Sequence, residues 1–180
     1  MENYCIMVQT GSEEKFKEEA ASRLSEIEKS SKIQFYFFKK MMRTSKGKTF
    51  EEPLFPGYIF LEADCLNTES VTTLKTVKNF YHFLKSNSDI TELKGADLAV
   101  VEQFKRCGER LGFSKLYFEP GKKIVVVEGP LQGLEGKIIA VNKKKMPRNN
   151  PAGHDAQRKK NRPYVRPRSA VINKAIARSF

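Results

Sequence analysis

Apolar and polar positions recur with two different periods along most of the chain, and the pattern stops abruptly after Lys143. Residues 4–8 are a short apolar run, long enough for a buried strand and too short for a helix. Gly11-Ser12 breaks it. From Glu13 the apolar positions Phe16, Ala20, Leu24 and Ile27 recur every three or four residues among Lys and Glu. That spacing predicts an amphipathic helix with Ser12 as N-cap, Glu13 and Glu14 well placed in its first turn, and Ser30-Ser31 at its end. The aromatic run 33–38 predicts a second strand, apolar on both faces. Polar residues around Gly47 predict a mobile hairpin loop over 43–48, and Pro56-Gly57 opens a third strand over 58–62.

Further along, Val71, Leu74 and Val77 fall on one side of a short helix expected over 68–76, and 80–84 reads as a strand. A longer helix is expected over 96–110, burying Leu98, Val101 and Phe104 and ending near Gly108 and Gly112. Strand, helix, strand, strand, helix, strand, helix is the order of a compact α+β domain with a mainly antiparallel sheet. These elements account for a complete core before Phe118, and residues 113–120 read as a linker. At Glu119-Pro120-Gly121 the character changes. Residues 124–127 are β-branched throughout, Glu128-Gly129-Pro130 is a turn, and Gly133 and Gly136 precede a second strand over 138–141. Two strands with a glycine-bearing loop predict the start of a small β-barrel. Beyond it, Pro147, Pro151, Pro163 and Pro167 stand among charges with few large apolar residues, which predicts a disordered basic tail.

Charge sharpens this division. The net charge of +12 suggests nucleic acid until it is located. Residues 143–180 hold twelve Lys or Arg against one acid, Asp155, while the other 142 residues hold 21 bases and 20 acids. The folded part is therefore nearly neutral, and non-specific affinity for phosphate backbones would reside in the tail. No apolar run approaches bilayer length, and the N-terminus lacks the basic start and apolar stretch of a secretory signal, so neither a membrane nor export is expected.

Candidate chemistry is sparse. Cys5, Cys65 and Cys107 are odd in number and far apart, without a Cys-x-x-Cys pair, which argues against a disulfide framework or zinc site and for a reducing cytoplasm. Two of the three stand among apolar residues and read as small buried hydrophobes. His82 and His154 have no convergent nucleophile or metal-ligand cluster around them, and no phosphate loop or dinucleotide fingerprint is present. The carboxylates, spread along helix faces, read as solvated charge. Neither an enzyme, a cofactor nor a metal is expected.

Two stretches carry a family resemblance. Leu54-Phe55-Pro56-Gly57-Tyr58-Ile59-Phe60 resembles the Phe-Pro-Gly-Tyr strand of the NusG N-terminal (NGN) domain. Phe118-Glu119-Pro120-Gly121, with Ile124-Val125-Val126-Val127, Gly129-Pro130-Leu131 and Gly133-Leu134-Glu135-Gly136, resembles the junction and first half of the family's KOW motif, an SH3-like barrel. Both motifs stand in the family's order, and the resemblance covers residues 3–142. It implies an NGN domain over 1–112, a linker over 113–120, a partial KOW motif over 121–145 and a basic irregular tail over 146–180.

The resemblance also implies a function. NusG-type N-terminal domains set a concave apolar surface against the clamp helices of the largest RNA polymerase subunit, close the DNA-binding cleft and suppress pausing without bond chemistry. The matching positions are Tyr4, Phe55, Tyr58 and Phe118, expected to form an exposed apolar patch. Thr72 and Thr73 are placed to face the second-largest subunit. Lys143, Lys144, Lys145, Arg158, Lys159 and Lys160 are the candidates for contact with nascent RNA or non-template DNA. The ribosome is a further candidate partner, and the chain is expected to act as a monomer.

Departures from the family pattern are informative. Asn3-Tyr4 stands where ordinary members have Trp-Tyr, and Gln9-Thr10-Gly11-Ser12-Glu13-Glu14 is closer to specialised paralogues of the LoaP and RfaH kind, which antiterminate particular long operons. The barrel needs about five strands and only two are recognisable, since Met146-Pro147-Arg148-Asn149-Asn150-Pro151 replaces the expected alternation. A basic arm in place of the barrel, or a change of reading frame near Met146, would each produce this break. A rival reading is a stand-alone RNA-binding or ribosome-associated KOW protein gripping RNA with its tail, but such proteins lack the N-terminal domain.

Overall fold

Alternation within the first strand organises the domain. In the computed structural model, which describes residues 1–27, 32–44, 46–84, 87–88, 90–118, 124–141 and 170–172, β1 (Glu2–Val8) sends Tyr4, Ile6 and Val8 to one face and Cys5 to the other. It pairs antiparallel with β5 (Tyr58–Ala63), setting Cys5 opposite Phe60 and Ile6 opposite Ile59. With β2 (Ile33–Tyr36) outside β5 and β6 (Phe80–Phe83) outside β1, the result is a four-stranded antiparallel sheet in the order β2-β5-β1-β6. The expected split of β5, with Tyr58 and Phe60 on one face and Ile59 and Leu61 on the other, is what the structure has.

Each face has its own core. On one, α1 (Glu13–Ile27) buries Phe16, Ala20 and Leu24, the stripe its period predicts, and α2 (Thr68–Thr76) adds Leu74. Asn67 caps α2, its side-chain oxygen accepting from Ser70 N at 2.8 Å. On the other face, α3 (Gly95–Cys107) buries Val100, Val101 and Phe104 against Cys5, Phe38 and Phe60. Leu98, expected inside, is half-buried, and Val100 takes its place. Gly108 ends α3 with φ +85°, a conformation that suits glycine.

The structure adds two strands on either side of the expected hairpin loop, where the sequence reading assigns no element. Lys39–Arg43 (β3) and Thr49–Pro53 (β4) form an antiparallel hairpin, with Arg110–Leu111 (β7) parallel to β3. Their Lys, Arg and Glu residues hide the strand signal: β4 is mostly exposed and β3 half-buried, and ion pairs such as Lys39 with Glu14 and Glu51 hold the charges. Thr44 N donates to Lys48 O at 2.8 Å across the hairpin turn. Within the expected linker lies β8 (Lys115–Phe118), antiparallel to β9 (Ile124–Glu128).

The second core does not stop at the expected junction. Leu111, Leu116, Val126, Leu131 and Leu134 belong to the same buried cluster as Cys5, Phe38, Phe55 and Phe104. Gln103 of α3 grips the turn that follows β9, donating from Nε2 to Pro130 O at 3.0 Å and Gln132 O at 2.6 Å. Gly129 is required there. Its φ is +107°, and a Cβ would stand 2.7 Å from Ser114 Cα.

After a single 3-10 turn (Glu135–Lys137), β10 (Ile138–Val141) pairs antiparallel with β11 (Ala170–Ile172). Residues 170–172 are thus one short strand within the stretch expected to be an irregular tail. Ala170-Val171-Ile172 is a short apolar, largely β-branched run that can complete the ladder of β10. The end of α1 at Ser30-Ser31, the Glu119-Pro120-Gly121 junction and the rest of 146–180 lie outside the described residues. Of the cysteines, only Cys5 is buried; Cys65 and Cys107 are exposed, because one follows β5 and the other ends α3 on its solvent side.

Candidate functional site

The Phe55-Pro56-Gly57-Tyr58 turn launches β5. Tyr58 N donates to Phe55 O at 3.2 Å, and Gly57 sits at φ +83°, where a Cβ would press on Thr10 Oγ1 at 3.0 Å and Val8 O at 3.2 Å. Gly57 O accepts from Val8 N at 2.8 Å, and Gly57 N donates to Glu13 Oε1 at 2.7 Å. Both backbone groups of the glycine are therefore held by the 8–13 segment. Tyr58 emerges half-buried, its phenol pKa raised by burial and by nearby Cys5.

The four aromatic positions do not form one exposed patch. Tyr4 is 7% exposed on the opposite face of the sheet from Tyr58, in the cluster packed by α1. Alternation along β1 sends it there with Ile6. Its hydroxyl donates to Glu2 Oε2 at 2.5 Å, and burial together with that carboxylate raises its pKa. Phe55 is 3% exposed, edge-on to Phe60 at 5.5 Å and 6.1 Å from Phe104, so it is core rather than surface. The backbone of Phe118 ends β8 opposite Ile124. On α2, Thr72 is exposed and donates from Oγ1 to Thr68 O at 2.8 Å, while Thr73 is half-buried. Lys143, Lys144, Lys145, Arg158, Lys159 and Lys160 lie outside the described residues.

On the same face of the sheet as Tyr58, but toward the other end of β5, a polar cluster ties α3 to the sheet. Lys105 Nζ lies 2.7 Å from Glu62 Oε1, 2.7 Å from Glu102 Oε1 and 3.1 Å from Asn3 Oδ1, and sits 5.1 Å from the Tyr36 ring centroid. Tyr36 donates its hydroxyl to Glu62 Oε2 at 2.9 Å. Burial opposes charge on Glu62, but the hydrogen bonds from Lys105 and Tyr36 outweigh it and lower its pKa. Glu62 and Glu13 thus depart from the expectation of solvated carboxylates. Nothing in their spacing signals this, since Gly57, Tyr36 and Lys105, which hold them in the fold, lie far along the chain. His82 is half-buried, with Nδ1 2.7 Å from Phe83 O. Among the described residues no three His, Cys, Asp or Glu converge to hold a metal, and no helix is long and apolar enough to cross a membrane.

Comparison with known proteins bears on this geometry. The family model for transcription termination factor NusG matches residues 1–102, the span that contains both faces of the sheet and most of α3. Transcription termination/antitermination proteins NusG from Helicobacter pylori strains J99 and 26695 are 27% and 26% identical over 143 residues, covering 77% of this chain and 80% of each relative. A solved structure described as domain interaction in Thermotoga maritima NusG superposes with a TM-score of 0.48 at 21% identity, over 73% of this chain and 75% of that one. The family is one of non-enzymatic transcription factors. With the match spanning more than half the sequence, the chain belongs to the NusG family of transcription termination and antitermination factors.

Proposed function

We propose that the chain binds RNA polymerase through the surface around Tyr58, at the start of β5, and so suppresses pausing or termination. The observation that carries this reading is the Phe55–Tyr58 turn, held at the start of β5 inside the family-matched span with Tyr58 half-exposed at its end. Phe55 acts from beneath, as a packed support for Tyr58, and the clamp helices of the largest subunit are the surface that Tyr58 meets. Aromatic anchors of this kind carry most of an interface's energy. Thr72 and Thr73, on α2, face the second-largest subunit.

In this reading labour divides between an N-terminal polymerase-binding domain over 1–112, a linker over 113–120 that is docked on the second core through Leu116, a partial KOW motif over 121–145 and a basic tail over 146–180. In this reading the factor is a cytoplasmic monomer. Lys143, Lys144, Lys145, Arg158, Lys159 and Lys160 reach nascent RNA or non-template DNA through charge alone, so that contact weakens steeply with salt. Because the matched span is the domain that stand-alone ribosomal KOW proteins lack, the transcription reading is the one retained.

A pull-down of core RNA polymerase against ribosomal subunits tests the reading. Core polymerase is the expected catch, and Tyr58→Asp is expected to cost about 2 kcal/mol or more of that affinity, the scale of an interface anchor. A folded Tyr58→Asp protein that binds as the parent does would remove this surface from the mechanism.

A further inference from the structure

Glu13 is 3% exposed, an unusual place for a carboxylate, which loses hydration there unless donors replace it. Two backbone donors do so from opposite sides. Gly11 N–H reaches Oε2 at 2.7 Å, and Gly57 N–H reaches Oε1 at 2.7 Å. Gly11 belongs to the turn between β1 and α1, whereas Gly57 is 44 residues beyond Glu13, in the turn that launches β5. One side chain therefore fastens the start of α1 to the turn that delivers Tyr58.

The bond to Gly57 leaves that turn little freedom. Gly57 N–H is taken by Glu13, its C=O is taken by Val8 N–H, and its α-carbon faces Thr10 and Val8 too closely for a side chain. Tyr58 is the next residue: Glu13 holds the Pro56–Gly57 peptide and Val8 the Gly57–Tyr58 peptide, so the two together set the path by which the backbone enters Tyr58. A first-turn glutamate that served only the helix dipole would stand in solvent and reach its own helix N–H groups. This one instead turns back across the sheet end.

We propose that Glu13 is a positioning residue for polymerase binding: its carboxylate holds the Phe55–Tyr58 turn in the orientation in which Tyr58 meets the partner. The proposal rests on the polymerase reading above, and the two can fail separately.

The test is a double-mutant cycle in the full chain, with Glu13→Gln, Tyr58→Ala and the double variant titrated against core RNA polymerase. The temperature is one at which circular dichroism shows each variant folded. Gln keeps the shape but can accept only one of the two hydrogen bonds, so Glu13→Gln is expected to weaken binding by about tenfold, the scale of one charge-assisted hydrogen bond. The double variant is expected to bind no more weakly than Tyr58→Ala alone, because Glu13 acts through Tyr58. In proton–nitrogen spectra the Gly57 amide should move in Glu13→Gln, and in the parent it should exchange slowly. Should the Gln variant not fold, Glu13→Asp, shorter by one methylene, carries the same cycle. Parent-like binding by Glu13→Gln, or losses that simply add, would overturn the proposal while a weakened Tyr58→Ala leaves the polymerase reading standing. A Tyr58→Ala protein that binds normally would overturn both.

Discussion

The side-chain oxygen of Asn3, at the start of β1, accepts a hydrogen bond from Lys105 of α3 at 3.1 Å. The position is 6% exposed and polar, and it helps to solvate an ammonium that Glu62 and Glu102 also hold. The backbone of the same residue accepts from Leu93 N at 2.7 Å, just ahead of α3. Asn3 thereby serves as a fixed point for the helix that covers this face of the sheet.

Lys105 should accordingly be intolerant of a neutral substitute. Lys105→Met keeps the length of the side chain but leaves Glu62, at 15% side-chain exposure, without its cation. Removing one partner of a buried pair costs about 3–5 kcal/mol, and the polar neighbours here should hold the loss to about 2–4 kcal/mol. Urea denaturation of parent and variant measures it. A difference below about 0.5 kcal/mol, the range of an ordinary surface change, would mean that the cluster does not fasten α3.

Acid should loosen the same contact. The pKa of Glu62 is lower in the folded protein than the ordinary glutamate value of 4.5. Its contribution is therefore fully present above that value and is lost as pH falls through the lower, folded one. Glu62→Gln should flatten stability against pH on the acid side of 4.5 and leave the slope between pH 6 and 8 unchanged. Denaturation series for the two proteins over that range provide the check. Parallel curves at low pH would assign the acid sensitivity to other carboxylates, such as Glu14, whose pKa is lowered chiefly by its hydrogen bond from Lys39.

Phe55 and Tyr58 should respond oppositely to the same change. Phe55→Asp places a charge among Phe60, Phe104 and the aliphatic residues of the second core, and the domain should fail to fold cooperatively. Tyr58→Asp, at a half-exposed position, should keep cooperative unfolding. Thermal scans separate the two. A stable Phe55→Asp protein would return Phe55 to the surface patch that its sequence neighbours suggest.

Truncation bears on the proposed domain boundary. A chain ending at Leu116 loses Val126, Leu131 and Leu134 from the second core, and each buried aliphatic residue is worth about 1.5–3 kcal/mol. The fragment should still unfold cooperatively, on the strength of both faces of the four-stranded sheet, but at a midpoint well below that of the full chain. Equal midpoints would show that the packing of 126–134 adds nothing. A fragment without a cooperative transition would move the domain boundary past residue 134.

Much of this protein was legible in its sequence. Helix α2 and strand β10 fall where their patterns place them, and β1, α1, β5, β6 and α3 lie within a few residues of their expected bounds, because the period of apolar residues is a local property. The Phe55–Tyr58 motif and the family followed from short runs of adjacent residues in the same way. What only the tertiary structure decided is which of those residues face solvent. Strands β3 and β4 form from charged sequence because the hairpin pairs backbone groups, whatever the side chains. Phe55 looks like a surface aromatic until α3, nearly fifty residues later, lays Phe104 beside it. Glu13 looks solvated until Gly57 returns to it, and Asn3 acquires its role from Lys105, 102 residues away. Burial is a property of pairs, and one member of each pair reaches the other only through the folded sheet.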